Sequence, residues 1–93
     1  MKTVILLSEK DNVLTCTRAV KKGEALDYDG GVLTAAADIP AYHKIARAYI
    51  ARGESVYKYG EAIGIAAAAI GPGEHVHVHN LEGSRGRGDK KET

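Results

Sequence analysis

The sequence predicts a small, mainly β domain built from short strands, with at most one or two helical turns. Three observations lead to this. First, a ten-residue pattern returns three times, as TRAVKKGEAL at 17–26, RAYIARGESV at 47–56 and AAAIGPGEHV at 67–76. Each copy sets an aliphatic residue (Val20, Ile50, Ile70) three positions before a glycine (Gly23, Gly53, Gly73). A glutamate (Glu24, Glu54, Glu74) follows the glycine, and another aliphatic residue (Leu26, Val56, Val76) stands three after it. Second, a glycine fixed in this place reads as a turn residue of positive φ, and the apolar residues around it as the ends of strands that meet there. Third, further breakers at Gly30, Gly31, Pro40, Gly60 and Gly64 leave little room for helix between the corners.

Taken in order, strands are expected near 3–7 and 12–18, then at 25–28 leaving the first corner and at 31–36 after the glycine pair. Others follow near 43–47, 55–57, 62–67 and 75–79. The stretch AAADIPAYHKIARAYI competes as a helix through its Ala, Lys and Arg, but Pro40 interrupts it and biases Ile39 toward extended backbone. EAIGIAAAAIG poses the same choice, and its glycines together with the recurring corner favour strand. The glutamates beside the glycines are read as serving the turns, because acidic side chains there cap backbone N–H groups.

At 93 residues the chain is one domain, and a domain of this size buries only about 60 to 65 % of its unfolded surface. Five Tyr with no Phe or Trp mean a thin aliphatic core, one that gains stability by docking on a partner or on a copy of itself. The domain is placed at 1–81. The segment EGSRGRGDKKET at 82–93 has no apolar residue and reads as a flexible polar tail. Its basic positions are read as solvent-exposed linker, and GRG makes no phosphate loop without a strand before it and a helix after it. Thirteen basic against twelve acidic residues leave a formal charge of +1, which argues against nucleic acid and membrane surfaces as partners. The apolar run in MKTVILLSEKD is too short for a secretory segment or a span, and the single Cys16 cannot form an internal disulfide, so the cytoplasm is expected. Cys16 itself reads as a buried structural thiol.

The most chemically suggestive stretch is GEHVHVHN at 73–80. In an extended strand, His75, His77 and His79 share one face about 6 to 7 Å apart, with Val76 and Val78 packing inward. Neutral imidazole binds Zn, Fe, Mn and Ni ions, and neighbours at this spacing can reach a common cation. A catalytic metal needs about three protein ligands and an open position. His43, Asp38, Glu74 and Asn80 are the residues that could complete the set. The competing reading is the exposed side of an edge strand.

These residues resemble the SAF domain of the altronate and galactarate dehydratase family and, equally, the small subunit of sulfolactate sulfo-lyase. The resemblance rests on Ile39, Pro40, His43, Lys44 and Ala46, then on Gly53, Glu54, Val56, Lys58, Tyr59, Gly60, Ile63 and Gly64, and finally on His77, Val78, His79 and Asn80. Tyr42 stands where the family usually has glycine, and Ile65 where an arginine often follows. The resemblance implies a β-clip fold and a part in a lyase that removes water from a sugar acid, or sulfite from sulfolactate. It also implies a divalent metal such as Fe2+ or Mn2+ and a larger catalytic subunit. On that footing His43 is expected to transfer protons, Lys44 and Asn80 to bind the substrate's acid group, and His75, His77 and His79 to bind metal. A non-catalytic ligand-binding module is the alternative.

Overall fold

A computed structural model describes residues 2–28 and 31–83. The expected class holds: the described residues contain nine short strands and no helix. In chain order these are β1 (Val4–Ile5), β2 (Val13–Cys16), β3 (Ala25–Tyr28), β4 (Gly31–Thr34), β5 (Lys44–Ala46), β6 (Ser55–Lys58), β7 (Glu61–Ala66), β8 (His75–Val76) and β9 (Leu81–Gly83). They form an antiparallel sheet in the order β1-β2-β5-β8, a β3-β4 hairpin and a sheet in the order β6-β7-β9.

The four-stranded sheet is buried on both faces. Leu14, Cys16 and Ile45 enter one apolar cluster with Val4, Val20, Leu26 and Ile39. Val13, Ala46 and Val76 enter a second with Ile50, Val56, Ala66 and Ile70. Alternate residues of β2 and β5 thus feed opposite clusters, and the polar Thr15 and Lys44 stand opposite each other at the end of the second face. Burial pushes the Cys16 thiol up to about 11, against a smaller opposing pull from Arg18, so this residue is a packing element.

The three glycine corners are real and nearly identical. Gly23, Gly53 and Gly73 have φ of 90°, 89° and 87°. Their N–H groups donate to the carbonyls of Ala35, Ala66 and Ala46 at 2.7, 2.8 and 2.8 Å. Each glutamate carboxylate accepts from the backbone N–H three residues earlier: Glu24 from Lys21 at 3.1 Å, Glu54 from Ala51 at 2.7 Å and Glu74 from Gly71 at 3.0 Å.

A fourth corner, at the proline, occupies Ile39–Pro40–Ala41–Tyr42–His43 and repeats the backbone of the other three. Tyr42 takes the glycine's place with φ of 69°, its N–H donates to the Cys16 carbonyl at 2.8 Å, and the Cys16 N–H donates to the His43 carbonyl at 3.0 Å. Bridges pair Val20 with Ile39 and Ile50 with Ile70, so the four corners associate two by two.

Two expectations are corrected. The strand predicted at 75–79 ends at Val76, and Val78 is 81 % exposed rather than packed inward. The reason is Asn80, only 7 % exposed, whose carboxamide closes residues 77–80 into a turn: Oδ1 accepts from the His77 N–H at 3.0 Å and Nδ2 donates to the His75 carbonyl at 2.9 Å. In addition, β9 pairs with β7 through residues 82 and 83, past the boundary predicted at 81. Strand pairing uses backbone groups and so needs no apolar side chains beyond Leu81. The remainder of the predicted tail, from residue 84, lies outside the described residues.

Candidate functional site

His43 reaches the site because of its corner. In the three glycine corners the residue after the glycine is a glutamate held by its own turn. In the fourth, the residue three positions back is Pro40, which has no N–H to offer. A side chain at 43 therefore has no local donor to cap, and the imidazole is turned toward the carboxyl-terminal histidines instead. Tyr42 in the left-handed region preserves the glycine-like backbone that aims it.

His75 arrives from β8, directly across from Ile45 on β5 and on the same face of the sheet as His43. His43 Nδ1 lies 2.9 Å from His75 Nε2, so one of these nitrogens donates and the other accepts. The His43 ring stacks on His77 with centroids 4.2 Å apart, and His75 and His77 are nearly parallel at 5.5 Å. The turn closed by Asn80 thus keeps His77 with the other rings although the strand has ended. His79 is exposed, its ring 5.3 Å from that of His75. The ligand nitrogens of His43, His75 and His77 all lie within 4.8 Å of one another, and His79 stands outside this group. Nitrogens around one ion at about 2.1 Å stand roughly 3 to 4 Å apart, so this set fits a divalent cation with small ring adjustments.

The surroundings of His75 and His77 favour the neutral form of these two rings. Burial first, then the neighbouring His43 and the other cationic groups, holds His75 below the ordinary imidazole value, and His77 is lowered for the same reasons. Lys44 is half-buried on the opposite face of β5, facing Thr15 and Val76. Burial and then the charge of Lys58 lower its ammonium. Asn80 has both ends of its carboxamide engaged within its own turn. Sequence reasoning sets His43 after a proline corner but misses that this corner repeats the other three, and with it the reason that His43 joins the cluster. The signal was present as Ile39, Ile45 and the spacing between them, masked by Tyr for Gly and His for Glu.

The sequence matches the family described as the altronate/galactarate dehydratase SAF domain over residues 2–84. The chain belongs to this family. Among relatives of this SAF-domain chain, the altronate dehydratase of Bacillus subtilis is 44 % identical over 82 residues, which cover 88 % of this chain and 16 % of the relative. The altronate dehydratase of Escherichia coli is 40 % identical over 70 residues, 75 % of this chain and 14 % of the relative. The (2R)-sulfolactate sulfo-lyase subunit alpha of Paracoccus pantotrophus is 45 % identical over 53 residues, 57 % of this chain and 79 % of the relative. The SAF-domain chain thus spans about one sixth of the first relative's length and most of the last one's.

Proposed function

We propose that this SAF domain acts as the small, non-autonomous component of a metal-assisted lyase, working with a larger catalytic chain to eliminate water from a sugar acid. The observation that carries this reading is the convergence of His43, His75 and His77 on one point. The relatives support the division of labour, since the matching region makes up a small part of the altronate dehydratases and most of a sulfo-lyase alpha subunit. That second coverage favours one alternative, release of sulfite from sulfolactate by the same machinery.

Elimination next to a carboxylate needs a base for a weakly acidic proton, charge stabilisation for the enolate that develops, and an acid for the leaving group. A divalent cation such as Fe2+ or Mn2+, held by His43, His75 and His77, supplies the charge stabilisation when bound. His43, expected from sequence as a proton-transfer group, is on this geometry the third ligand. The exposed His79 stands beside the trio and is available to exchange a proton with a bound acid. The larger chain provides the remaining acid–base groups and encloses the substrate.

The test is cobalt binding by the full 93-residue chain, followed by its visible absorption bands. His43→Ala, His75→Ala and His77→Ala should each weaken binding by about tenfold or more, and His79→Ala by far less. Equal binding by His43→Ala and the parent chain would overturn the assignment. Turnover of altronate or sulfolactate only when a larger dehydratase or sulfo-lyase chain is added would separate the lyase reading from a ligand-binding module.

A further inference from the structure

The chain folds as two similar halves. Gly23 and Gly53 donate to the carbonyls of Ala35 and Ala66, and Ala35 and Ala66 donate back to those of Glu24 and Glu54, all at 2.7 to 2.9 Å. The bridge between Val20 and Ile39 in the first half answers the one between Ile50 and Ile70 in the second. The β3-β4 hairpin is thus the counterpart of β6-β7, with Leu33, Thr34 and Ala36 standing where Gly64, Ile65 and Ala67 stand.

The halves differ at their outer edges. β7 is covered by β9: the Ala67 N–H donates to the Asn80 carbonyl at 2.9 Å, and Ile65 lies opposite Glu82. β6 is closed by the Asn12 carboxamide, which accepts from the Tyr57 N–H at 2.8 Å and donates to the Ser55 carbonyl at 2.9 Å. β3 packs beside β1. Along β4, the Ala36 N–H donates to the Gly73 carbonyl at 2.8 Å and Gly73 lies against the Thr34 carbonyl. The chain then leaves for β8, and among the described residues no strand faces Val32. Backbone groups in antiparallel pairs point alternately to the two sides. Ala36 points outward, so the N–H and C=O of Val32 do too, and its side chain is 68 % exposed. The strand reads Gly-Val-Leu-Thr, with none of the charges, prolines or bulges that ordinarily protect an edge.

Leu33 decides what can pair there. Gly64 leaves room for β9, since a Cβ on it would meet the Leu81 side chain and the Glu82 carbonyl. Leu33 fills the equivalent space with its own buried side chain, so an added strand must set a small residue beside it. We propose that β4 is the edge through which two copies of this chain join, antiparallel about a two-fold axis at Val32, into a continuous β3-β4-β4-β3 sheet. In this register Val32 exchanges two hydrogen bonds with Val32 of the second copy, and Leu33 lies opposite Gly31 of the second copy, the small residue the site requires. The two exposed valines meet on the outer face as a β-branched pair. Asp27, across from Val32 on β3, ends three strand spacings, about 14 Å, from its counterpart, where salt screens the repulsion. The pairing is independent of the lyase reading.

The test is sedimentation equilibrium of the full 93-residue chain, with chelator present so that no metal bridges the copies, together with amide-resolved NMR. The pairing is short, so a weak dimer is expected, with Kd between about 10 μM and 1 mM. Over that range Gly31, Val32 and Leu33 should show saturable shifts, and exchange of the Val32 amide should slow as dimer forms. Val32→Lys sets two ammonium groups side by side and should weaken the dimer by about tenfold or more, with cobalt binding as in the parent chain. Val32→Thr, β-branched and uncharged, should keep the affinity within about threefold. Val78→Lys, at the other strongly exposed valine, should leave association unchanged. A chain that stays monomeric up to about 1 mM overturns the proposal. So does a dimer indifferent to Val32→Lys, whose copies meet elsewhere, and so does a Val32 amide equally slow to exchange at every dilution, which would mean that a single chain covers its own edge.

Discussion

The corner at Gly53 and the corner at Tyr42 share one backbone and use it in opposite ways. At Gly53 the carboxylate of Glu54 turns back to accept from the Ala51 N–H at 2.7 Å, so the side chain is consumed by its own turn. At Tyr42 the equivalent donor is missing because position 40 is proline, and His43 reaches His75 at 2.9 Å instead. A repeated structural unit acquires chemistry where its local hydrogen bond is deleted. The lesson is that the proline matters as much as the histidine: it removes the competing partner, and the cluster takes the side chain that is left.

The largest expected effect tests how rigid the shared backbone is. A Cβ on Gly73 would lie 2.1 Å from the Thr34 carbonyl oxygen and 3.0 Å from the Ala36 nitrogen, whereas one on Gly53 meets nothing within 4 Å. Both glycines have left-handed φ, near 88°. Gly53→Ala should therefore cost only the conformational term, about 1 kcal/mol, and Gly73→Ala about 3 kcal/mol or more because backbone must move. Urea denaturation of the two variants checks this. Equal losses would mean that the Gly73 corner yields more readily than its packing implies.

Next in size is the comparison itself, posed as a double-mutant cycle. His43→Glu alone gains no cap, since Pro40 has no N–H to donate. Pro40→Ala alone restores a donor without its carboxylate. Together they rebuild the Gly53 type of corner, and the pair should be more stable than the sum of the single changes by about 1 kcal/mol, the worth of one capping bond. Thermal denaturation measures the coupling, and cobalt binding should be lost in the double variant. Additivity of the two changes would show that the proline has no part in freeing position 43.

Acid separates the two kinds of corner by pH. His75 and His77 titrate below the ordinary 6.5 in the folded chain. Between the folded and the unfolded values the unfolded chain binds more protons, so metal-free stability is present above about pH 6.5 and declines as pH falls through that window. Glu24 is shifted below its ordinary 4.5, chiefly by hydrogen bonding from Arg18 and then by the Lys21 N–H. Its contribution is present above that value and is lost only as pH falls further, through its folded pKa. A melting-temperature profile should therefore fall in two steps, and His75→Gln should flatten the upper one. A single step near pH 4 would place no weight on the imidazole cluster.

The short-strand fold was legible because glycine corners leave a pattern in sequence: an aliphatic residue on each side at fixed distance and an acid that caps. Eight of the nine strands follow from that pattern and its breakers; the exception, β9, has only Leu81 to announce it. The histidine cluster was half legible. Alternation correctly gathered His75 and His77, but period-2 reasoning extended the strand through Val78, because nothing local in HVHN reveals that the Asn80 side chain will satisfy two backbone groups. The approach of His43 depends on which strands are neighbours, β5 beside β8, and that is a long-range fact.

The smallest predicted effect concerns the residue that most disguises the fourth corner. Tyr42 holds φ of 69° with its ring 76 % exposed, so its conformational cost has no large packing gain in return. A left-handed non-glycine residue costs about 1 to 2 kcal/mol, and glycine would return about 0.5 to 1 kcal/mol of that through its extra freedom in the unfolded chain. Tyr42→Gly should therefore stabilise the isolated chain by about 0.5 kcal/mol and leave cobalt binding unchanged, since the backbone that aims His43 stays as it is. A loss of stability would show that the Tyr42 ring contributes packing worth more than the strain. A loss of cobalt binding with stability intact would show that the ring, and not the backbone conformation alone, keeps His43 turned toward its partners.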